Sequence, residues 1–487
     1  MHGSLRRFLS FLSLICFGVA FVSCSSPGDR ILAIVHVTVI DVTGGPPRAD
    51  TTVVVSGKTI SAIGPSNAMR IPLQAKVIDG SGRFLIPGLA DMHVHLTGAG
   101  EHSGSREFMI PLLLANGITT VRDMGGSVGL LKELRSEVAS GKRVGSQIFF
   151  TGPYLDGNPP SFEPSIIVQT PEEARAAVDK LKSEGVDFIK VQSRLQPEAY
   201  FAIAKEAKEL GIPFVGHVPD SITAEQASDA GQASIEHLTG VLLGCSSREP
   251  ELREEKLRSG QTPPPQLAHA EQRVWLKKLL GSIEPAETAK LVAEFARNRT
   301  WQVPTFPTLV HIGFVTPQTD LANDPRLRYV PARLKVIWKQ GRDSQLDDYS
   351  AEDFALREVV IRESLKVVAQ MNSAGVPIMA GTDTAAPHVI PGFSLHEDLE
   401  YLVKAGMSPM QALQAATLNP AEFLGHRAEQ GSVDVGKRAD LVLLDANPLD
   451  DIRNTERIRA VIVNGKLMDR NELDDVLAGV ERFAATH

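Results

Sequence analysis

The segment FLIPGLADMHVHL, residues 84–96, ends an apolar run with two histidines that are one residue apart. Because alternate side chains of a β-strand point to the same face, His93 and His95 share a face and Val94 lies on the other. Two adjacent imidazoles in a core are costly unless their nitrogens are satisfied. A bound metal ion would satisfy both rings, and separate hydrogen bonds near a strand end are the alternative.

Seven more strand-like runs follow, with helical patterns between them. They lie at residues 118–122, 147–151, 187–192, 213–217, 233–237, 301–305 and 377–383. The intervening segments, such as PEEARAAVDKLKSEG, have apolar residues three and four positions apart and end on glycine, which is typical of helices. With the run that ends at His95, these eight β/α units predict an α/β fold, a (β/α)8 TIM barrel over residues 85–426.

Two segments interrupt this alternation and are expected to shape the substrate site. Residues 245–300 predict a polar helical insertion after the sixth strand. The Pro-rich sequence PYLDGNPPSFEP, residues 153–164, predicts a long loop after the third strand. We expect substrate selectivity to depend on residues 97–107, 152–166 and 245–300.

Both ends of the chain have the composition of short strands. Residues 31–83 are rich in β-branched side chains and are interrupted by Gly, Pro and Asp. IRAVIVNGKLM, near the other end, contains the turn signal Asn464–Gly465. We therefore predict one small β-sandwich domain that is formed from both termini, by residues 30–84 plus 427–470.

Residues 1–23 have the layout of a signal peptide. Arg6 and Arg7 precede an apolar run at residues 8–22, which is short for a helix that spans a membrane. The following FVSC sequence resembles a bacterial lipobox, so Cys24 is expected to be the lipidated first residue of the mature chain. An ordinary secretory signal that is cut nearby is the alternative. We expect an exported protein, held at the periplasmic side of a bacterial membrane by lipid on Cys24.

The overall composition is that of a globular protein. The chain has 487 residues, of which 43% are hydrophobic and 22% charged, and its net charge is −8. No basic patch is present, so we expect no nucleic-acid partner. Cys16 would leave with the signal peptide and Cys24 would carry lipid, so Cys245 could form no internal disulfide. The choice between a monomer and a homo-oligomer stays open.

Six side chains that can bind metal fall at predicted strand ends. They are His93, His95, Lys190, His217, His237 and Asp383. In a TIM barrel the reactive groups lie at the C-terminal ends of the strands. Each residue alone could be an ordinary hydrogen-bonded rim residue, but six from five strands favour a metal site. Imidazole and carboxylate groups are good zinc ligands.

Lys190 does not fit a metal site while it is charged, because an ammonium group repels a cation. Burial and a nearby metal would lower its pKa, and the neutral amine could then add carbon dioxide to become a carboxylate. We therefore predict N6-carboxylysine at Lys190 as a bridge between two metal ions. An ordinary charged lysine at the rim is the alternative.

These motifs resemble the amidohydrolase superfamily of binuclear metal hydrolases. PGLADMHVHL is similar to its His-x-His strand, FIKVQ to its bridging-lysine strand, VGHV and SIEHLTG to its other histidine strands, and AGTDT to its aspartate strand. GITTVRDMGG and PGFSLHEDLEYLVKAGMSPMQALQAATLNPAEFLG resemble the subgroup of imidazolonepropionase-like enzymes and metal-dependent Xaa-Pro dipeptidases and carboxypeptidases. The resemblance extends from about residue 31 to residue 470.

The resemblance implies two zinc ions, or two ions of another divalent metal. Lys190 would bridge two ligand sets: His93, His95 and Asp383 for the more buried ion, and His217 and His237 for the other. The resemblance also implies that a hydroxide between the metals attacks the substrate. Asp383 would take the proton from this hydroxide and pass it to the leaving amine.

The expected function is hydrolysis of an amide bond in a small substrate, a dipeptide or an N-acyl amino acid. The bridging lysine favours a binuclear hydrolase over single-metal deaminases and imidazolone hydrolases, which lack it. Another small amide, a lactam or an ester is the alternative substrate. A non-catalytic, metal-binding lipoprotein is the alternative from a different functional class.

Three further residues are candidates for contact with the substrate. Arg122 could hold a substrate carboxylate, or it could be a structural ion-pair partner, for example of Asp123. Tyr154 could donate to an oxyanion, or it could serve packing. His388 follows Asp383 by five residues and could orient the substrate, or it could face solvent.

Overall fold

The computed structural model describes residues 31–97, 104–259, 265–311 and 323–487. The predicted signal peptide, residues 1–23, and the predicted lipid site at Cys24 lie outside the described residues. No helix in the described ranges is long and apolar enough to cross a membrane.

The strands are mostly short, and they fall in both the termini and the central region. They are β1 Ile31–Val39, β2 Arg48–Ser56, β3 Thr59–Pro65, β4 Lys76–Asp79, β5 Phe84–Pro87, β6 Leu89–Val94, β7 Ile118–Asp123, β8 Gln147–Phe150, β9 Tyr154–Asp156, β10 Ser165–Ile167, β11 Ile189–Val191, β12 Phe214–Gly216, β13 Ser234–Glu236, β14 Trp301–Val303, β15 Leu441–Leu444, β16 Ile458–Val463 and β17 Lys466–Asp469.

The helices lie mainly between the central strands. They are α1 Ile110–Ala115, α2 Val128–Ala139, α3 Pro171–Ser183, α4 Pro197–Glu209, α5 Ala224–Asp229, α6 Val241–Gly244, α7 Glu249–Ser259, α8 Pro265–Leu280, α9 Pro285–Asn298, α10 Phe306–His311, α11 Ala332–Asp348, α12 Ala351–Ser373, α13 Phe393–Lys404, α14 Pro409–Ala415, α15 Leu418–Phe423 and α16 Arg470–Thr486. A π-helical turn, Ser105–Met109, and two 3-10 turns, Pro325–Tyr329 and Ile452–Glu456, complete the described helical elements.

Helix α3 shows why these segments are helical. Thr170 accepts a hydrogen bond from the backbone N–H of Glu173, and the Glu173 side chain accepts one from Thr170, so that two free donors are satisfied. Pro171 occupies the first turn, where a missing N–H costs nothing. Gly185, with φ +76°, follows the helix end. The prediction of a helix between the third and fourth strand runs is confirmed.

The strands of the two termini form one sheet. Its eight strands have the order β17-β16-β15-β5-β1-β2-β3, with β4 paired to β1. Strand β5 pairs in parallel with β1 and antiparallel with β15, so it joins the two ends of the chain. Leu32, Ile34, Val53, Leu441 and Ile462 belong to one buried apolar cluster on this sheet. The described strands of the termini make a single hydrogen-bonded sheet rather than the two sheets of the predicted sandwich.

The central strands are parallel and form a TIM-barrel-like α/β arrangement. Strands β6, β7 and β8 form one sheet, and a second has the order β10-β9-β11-β12-β13-β14. The predicted eighth strand, residues 377–383, is not a regular strand. Its segment still contacts both neighbours, because the Gln302 N–H donates to Pro377 O (3.0 Å) and the His95 N–H donates to Thr384 O (2.6 Å).

The prediction of a closed barrel is met only in part, because β8 and β11 share no ladder. Strand β9 pairs with β11 at Leu155 and Val191 instead, and the Asp187 N–H donates to Phe150 O (2.9 Å) beside it. Residues 153–164 were predicted to be a long loop, but they contain strand β9, and strand β10 follows them directly. The Asp156 carboxylate orders this segment by accepting hydrogen bonds from three backbone N–H groups.

Two helical regions complete the described fold. Helices α7, α8 and α9 occupy the predicted insertion at residues 245–300. Helix α16 follows the last strand, was not predicted, and packs against α1 beside the central strands. Its buried residues Leu473, Val480 and Ala484 lie on one helical face, which explains this packing.

Candidate metal centre

The structure brings the predicted histidines of different strands together. His93 and His95 lie at the end of β6, while His217 and His237 directly follow β12 and β13. The ring centroids of His93 and His237 are 4.5 Å apart, and those of His217 and His237 are 5.0 Å apart. Parallel strands present their C-terminal ends on one side of the sheet, which accounts for this convergence.

Asp383 contacts both histidines of the His-x-His segment. Its Oδ1 lies 2.9 Å from His95 Nε2 and 3.4 Å from His93 Nε2. One ligand atom from each of these three residues lies within 4.8 Å of the others. The backbone assists, because the Asp383 N–H donates to His93 O (2.7 Å). Two imidazoles and a carboxylate at this spacing are a suitable ligand set for a divalent cation such as zinc.

Each of the four histidines has its Nδ1 beside a protein oxygen. The pairs are His93 with Glu236 Oε2 (2.8 Å), His95 with Gly125 O (3.2 Å), His217 with Ser193 Oγ (2.9 Å) and His237 with Thr305 Oγ1 (2.6 Å). Such contacts fix the orientation of the rings, as they do for metal-binding histidines in general. For His93 and His95, they leave Nε2 facing Asp383 Oδ1.

His93 Nε2 provides the test of whether these residues fit a metal. This atom is buried and makes no hydrogen bond, although Asp383 Oδ1 lies 3.4 Å away. A buried polar atom without a partner costs about 1–3 kcal/mol, so its retention needs a reason. A metal ion would use its lone pair, because Nδ1 of the same ring is occupied by Glu236. The residues present therefore fit a metal.

Burial keeps most of these imidazoles neutral. It lowers the pKa of His93 and of His217 well below the usual value, and the charge of Lys190 acts in the same direction. It lowers the pKa of His237 to about 4. His95 differs, because the hydrogen bond and charge of Asp383 outweigh burial and raise its pKa. Neutral imidazole is the form that binds a metal.

Lys190 lies among these groups and is 1% exposed. Burial lowers its pKa to about 8, although the negative charges of Glu236 and Asp383 oppose this shift. A substantial fraction of the amine is therefore neutral near pH 8, which carbamylation requires. Gly216 leaves the space for this side chain, because a Cβ at that position would lie 2.9 Å from Lys190 Cδ.

Asp91, and two residues whose backbone is in the left-handed conformation, lie at the edge of the metal centre. The Asp91 carboxylate accepts hydrogen bonds from His93 N–H and from Thr382, so it connects β6 with the segment that carries Asp383. His237 and Asp383 have φ values of +58° and +65°, which non-glycine residues rarely adopt. Strained backbone of this kind is concentrated at functional sites.

Glu236 was missed by the sequence analysis and is central to the site. It is fully buried, its Oε2 contacts His93 Nδ1, and its Oε1 accepts from Arg122 Nη2 (2.9 Å). The signal in the sequence was a carboxylate inside the buried strand that leads to His237. Ser234, two residues earlier on the same strand face, donates to the same carboxylate.

The prediction that Arg122 holds a substrate carboxylate is not supported by its position. Its guanidinium is fully buried and donates to Met92 O (2.7 Å), Ser234 Oγ (3.0 Å) and Glu236 Oε1. Arg122 is thus a structural ion-pair partner, and its partner is Glu236 rather than Asp123. The Asp123 carboxylate instead accepts from the N–H groups of Leu96 and Gly125.

Tyr154 and His388 occupy different surroundings. Tyr154 Oη lies 3.4 Å from His95 Nδ1, so this hydroxyl borders the metal centre. His388 is buried beside Trp338, with ring centroids 5.4 Å apart, which corrects the alternative that it faces solvent. Burial lowers the pKa of His388 to about 4, and its Nε2 has no hydrogen-bond partner.

A family profile and several known proteins align with most of the chain. The profile described as "Amidohydrolase family" matches residues 84–468. Dihydroorotase from Aquifex aeolicus is 24% identical over 418 residues, which cover 81% of this chain and 86% of that protein. Imidazolonepropionase from Pseudomonas savastanoi pv. phaseolicola is 25% identical over 401 residues, which cover 81% of this chain and 87% of that protein.

A solved Xaa-Pro dipeptidase with bound methionine in its active site has a similar fold. The TM-score is 0.62 at 20% sequence identity, and the alignment covers 90% of this chain and 100% of that chain.

Proposed function

This chain belongs to the amidohydrolase family, and we propose that it hydrolyses an amide bond in a dipeptide or an N-acyl amino acid. Family membership makes the protein a metal-dependent hydrolase rather than a non-catalytic lipoprotein. The substrate class, the metal and the modification of Lys190 are the proposed parts. The similar fold of a Xaa-Pro dipeptidase supports the peptide-like substrate.

One observation carries the proposal: His93 Nε2 is buried and unpartnered within a cluster that also contains His95 and Asp383. A zinc ion there would be held by these three residues. A second would be held by His217 and His237, and carbamylated Lys190 would bridge the two. Bound zinc supplies a Lewis acid and lowers the pKa of water to about 7.

Asp383 is proposed to move the proton during hydrolysis. Burial raises the pKa of this carboxyl, but the charges of His237, His95 and Lys190 outweigh burial and lower it overall. The group is therefore ionised at neutral pH and can accept a proton. Tyr154 Oη, beside His95, is proposed to donate a hydrogen bond to the substrate oxygen.

Hydrolysis of a cyclic amide is the second candidate function. The names of the two curated relatives, dihydroorotase and imidazolonepropionase, favour it, because both proteins align over 81% of this chain. The proposed catalytic groups would serve either reaction, since both break a carbon–nitrogen bond at a carbonyl.

A substrate screen combined with metal analysis tests the proposal. The purified protein is assayed against dipeptides, N-acyl amino acids, cyclic amides and esters, before and after chelation and reloading with zinc. We expect two equivalents of zinc, loss of hydrolysis on chelation, and recovery on reloading. The Asp383→Asn variant, loaded in the same way, controls for contaminating hydrolases.

Two results would contradict the proposal. Absence of turnover of dipeptides and N-acyl amino acids by the zinc-loaded protein would exclude the proposed substrate class. Full activity with a single equivalent of metal would exclude the bridging role of Lys190.

A further inference from the structure

A cavity of about 210 Å³ lies next to the metal centre. His237, a proposed metal ligand, forms part of its wall. Ser193 forms another part, and its Oγ lies 2.9 Å from Nδ1 of His217. The cavity thus borders both histidines of the second proposed ligand set.

The rest of the wall is largely apolar, and the insertion and α12 contribute only part of it. Leu238, Leu242 and Leu243 line the cavity around α6, and Trp275 and Leu279 of α8 close one side. Val360 of α12 faces the same space. The Trp275 indole N–H donates to Leu252 O (2.9 Å), so the polar atom of this ring is already used.

The charged residues of the wall are balanced by protein partners. Lys256 Nζ lies 2.6 Å from Asp220 Oδ1, and Arg253 pairs with Glu249. Arg253 also donates to the carbonyl oxygens of Asp220 and Ile222. Because each cation has an anionic partner, the cavity favours a neutral occupant.

We propose that this cavity is the subsite for one apolar side chain of the substrate, on a residue next to the bond that is cleaved. Its volume lies below the roughly 300–1,000 Å³ of pockets that enclose a whole small ligand, so it fits one side chain rather than an entire substrate. The inference rests on the proposed function and deepens it. The segment from 245 to 300 then selects substrates with branched or aromatic side chains.

The test uses graded substrates and two matched variants. The first series varies the side chain of the amino acid: N-acetyl-glycine, -alanine, -valine, -leucine and -phenylalanine. The second series varies the acyl group: acetyl-, isovaleryl- and phenylacetyl-glycine. The Val360→Phe variant fills the cavity, and Val359→Phe adds the same ring to the neighbouring residue of α12, which does not line the cavity.

We expect kcat/KM to rise at least about tenfold from the smallest to a branched or aromatic group in one of the two series. In Val360→Phe the ratio of kcat/KM between the largest and the smallest group should fall towards one. Val359→Phe should keep the preference. The shift in Tm caused by N-acetyl-leucine, compared with N-acetyl-glycine, reports binding independently of turnover.

Each outcome decides the inference. Hydrolysis without any preference for size in both series would overturn the subsite and leave the proposed function intact. A preference that Val360→Phe does not change would also overturn it. No hydrolysis of these series or of the dipeptides, with a larger Tm shift by N-acetyl-leucine that Val360→Phe removes, would support the subsite and refute the proposed function. No hydrolysis and equal Tm shifts would refute both.

Discussion

Glu236 connects a proposed metal ligand to the interior of the protein. Its carboxylate contacts His93 Nδ1 and accepts from Arg122, so it holds the imidazole with Nε2 directed to the metal centre. We expect Glu236→Gln to reduce zinc affinity about 10- to 100-fold, because a neutral amide supports the ring less well. Titration of the folded variant with zinc measures this change.

The matched control for Glu236 is Glu137→Gln. Glu137 is also a buried glutamate with an arginine partner, Arg143 (2.8 Å), but it lies on α2 and contacts none of the proposed ligands. This variant should keep the zinc affinity of the parent. Unchanged affinity in folded Glu236→Gln would show that His93 does not need this support.

Lys190 is proposed to bridge the two metal ions, so its replacement should affect both metal content and activity. We expect Lys190→Ala to lose most of its activity and the second equivalent of metal, because a negative bridge between two cations disappears. A short carboxylic acid, added at millimolar concentration, should restore part of the activity by filling the gap. Metal content and turnover are measured together, and a fully active variant would exclude the bridge.

Replacement of Asp383 should lower the rate of hydrolysis more than the zinc content. In Asp383→Asn the amide oxygen can still approach a metal, but it cannot accept a proton. We expect most of the zinc to remain and kcat to fall by about 10²–10⁴-fold. The acidic limb of the rate against pH should also change, because the group that must be ionised is absent. If turnover stays near normal, another residue moves the proton, and His388 is the next to replace.

The proposed metal ligands could be predicted from the sequence better than the residues that hydrogen-bond to them. Strand ends can be located from apolar runs, so the structure brings His93, His95 and Asp383 together as expected. Glu236 and Asp91 were missed because a carboxylate in an apolar strand reveals its partners only in three dimensions. The buried position of Arg122 was likewise hidden in the sequence, since its acceptors come from β6 and β13, which are distant along the chain.

Strands and helices were predictable where their patterns were regular. Helix α3 has a capping box, a proline in its first turn and apolar spacing, all of which agree. Strands β9 and β10 have three residues each and flank a Pro-rich segment, so local composition concealed them. They pair with each other, and β9 also pairs with β11, which is distant in sequence; such contacts override local preference.

The strands of the terminal sheet should stabilise the fold without affecting the metal centre directly. Ile34 of β1 is fully buried in the apolar cluster that both termini share. We expect Ile34→Ala to destabilise the protein by about 2–5 kcal/mol, because it removes buried methyl groups and leaves a cavity. A lower Tm with unchanged zinc content would be the observed result.

The control for this sheet is Val77→Ala. Val77 lies on β4 of the same sheet but is 53% exposed, so its truncation should change Tm little. Equal shifts in the two variants would mean that burial in the shared cluster is not what stabilises this sheet.

For the full chain, we propose export and attachment to a membrane through lipid on Cys24. The signal-like sequence of residues 1–23 motivates this proposal. An acylated cysteine can carry more than one chain, as stable anchoring requires. We expect Cys24→Ala to move the protein from the membrane to the soluble fraction, and Cys16→Ala to leave it in place. Retention of Cys24→Ala in the membrane fraction would place the anchor elsewhere.

The pairing of β5 with β15 has a consequence for synthesis. Residues Phe84–Pro87 of β5 pair antiparallel with Leu441–Leu444 of β15, so one edge of β5 lacks its partner until most of the chain has been synthesised. A nascent chain would hold an unpaired, apolar strand edge throughout translation of the intervening region. Premature termination before Leu441 would leave that edge permanently exposed, and such fragments should aggregate or be degraded rather than persist as smaller enzymes.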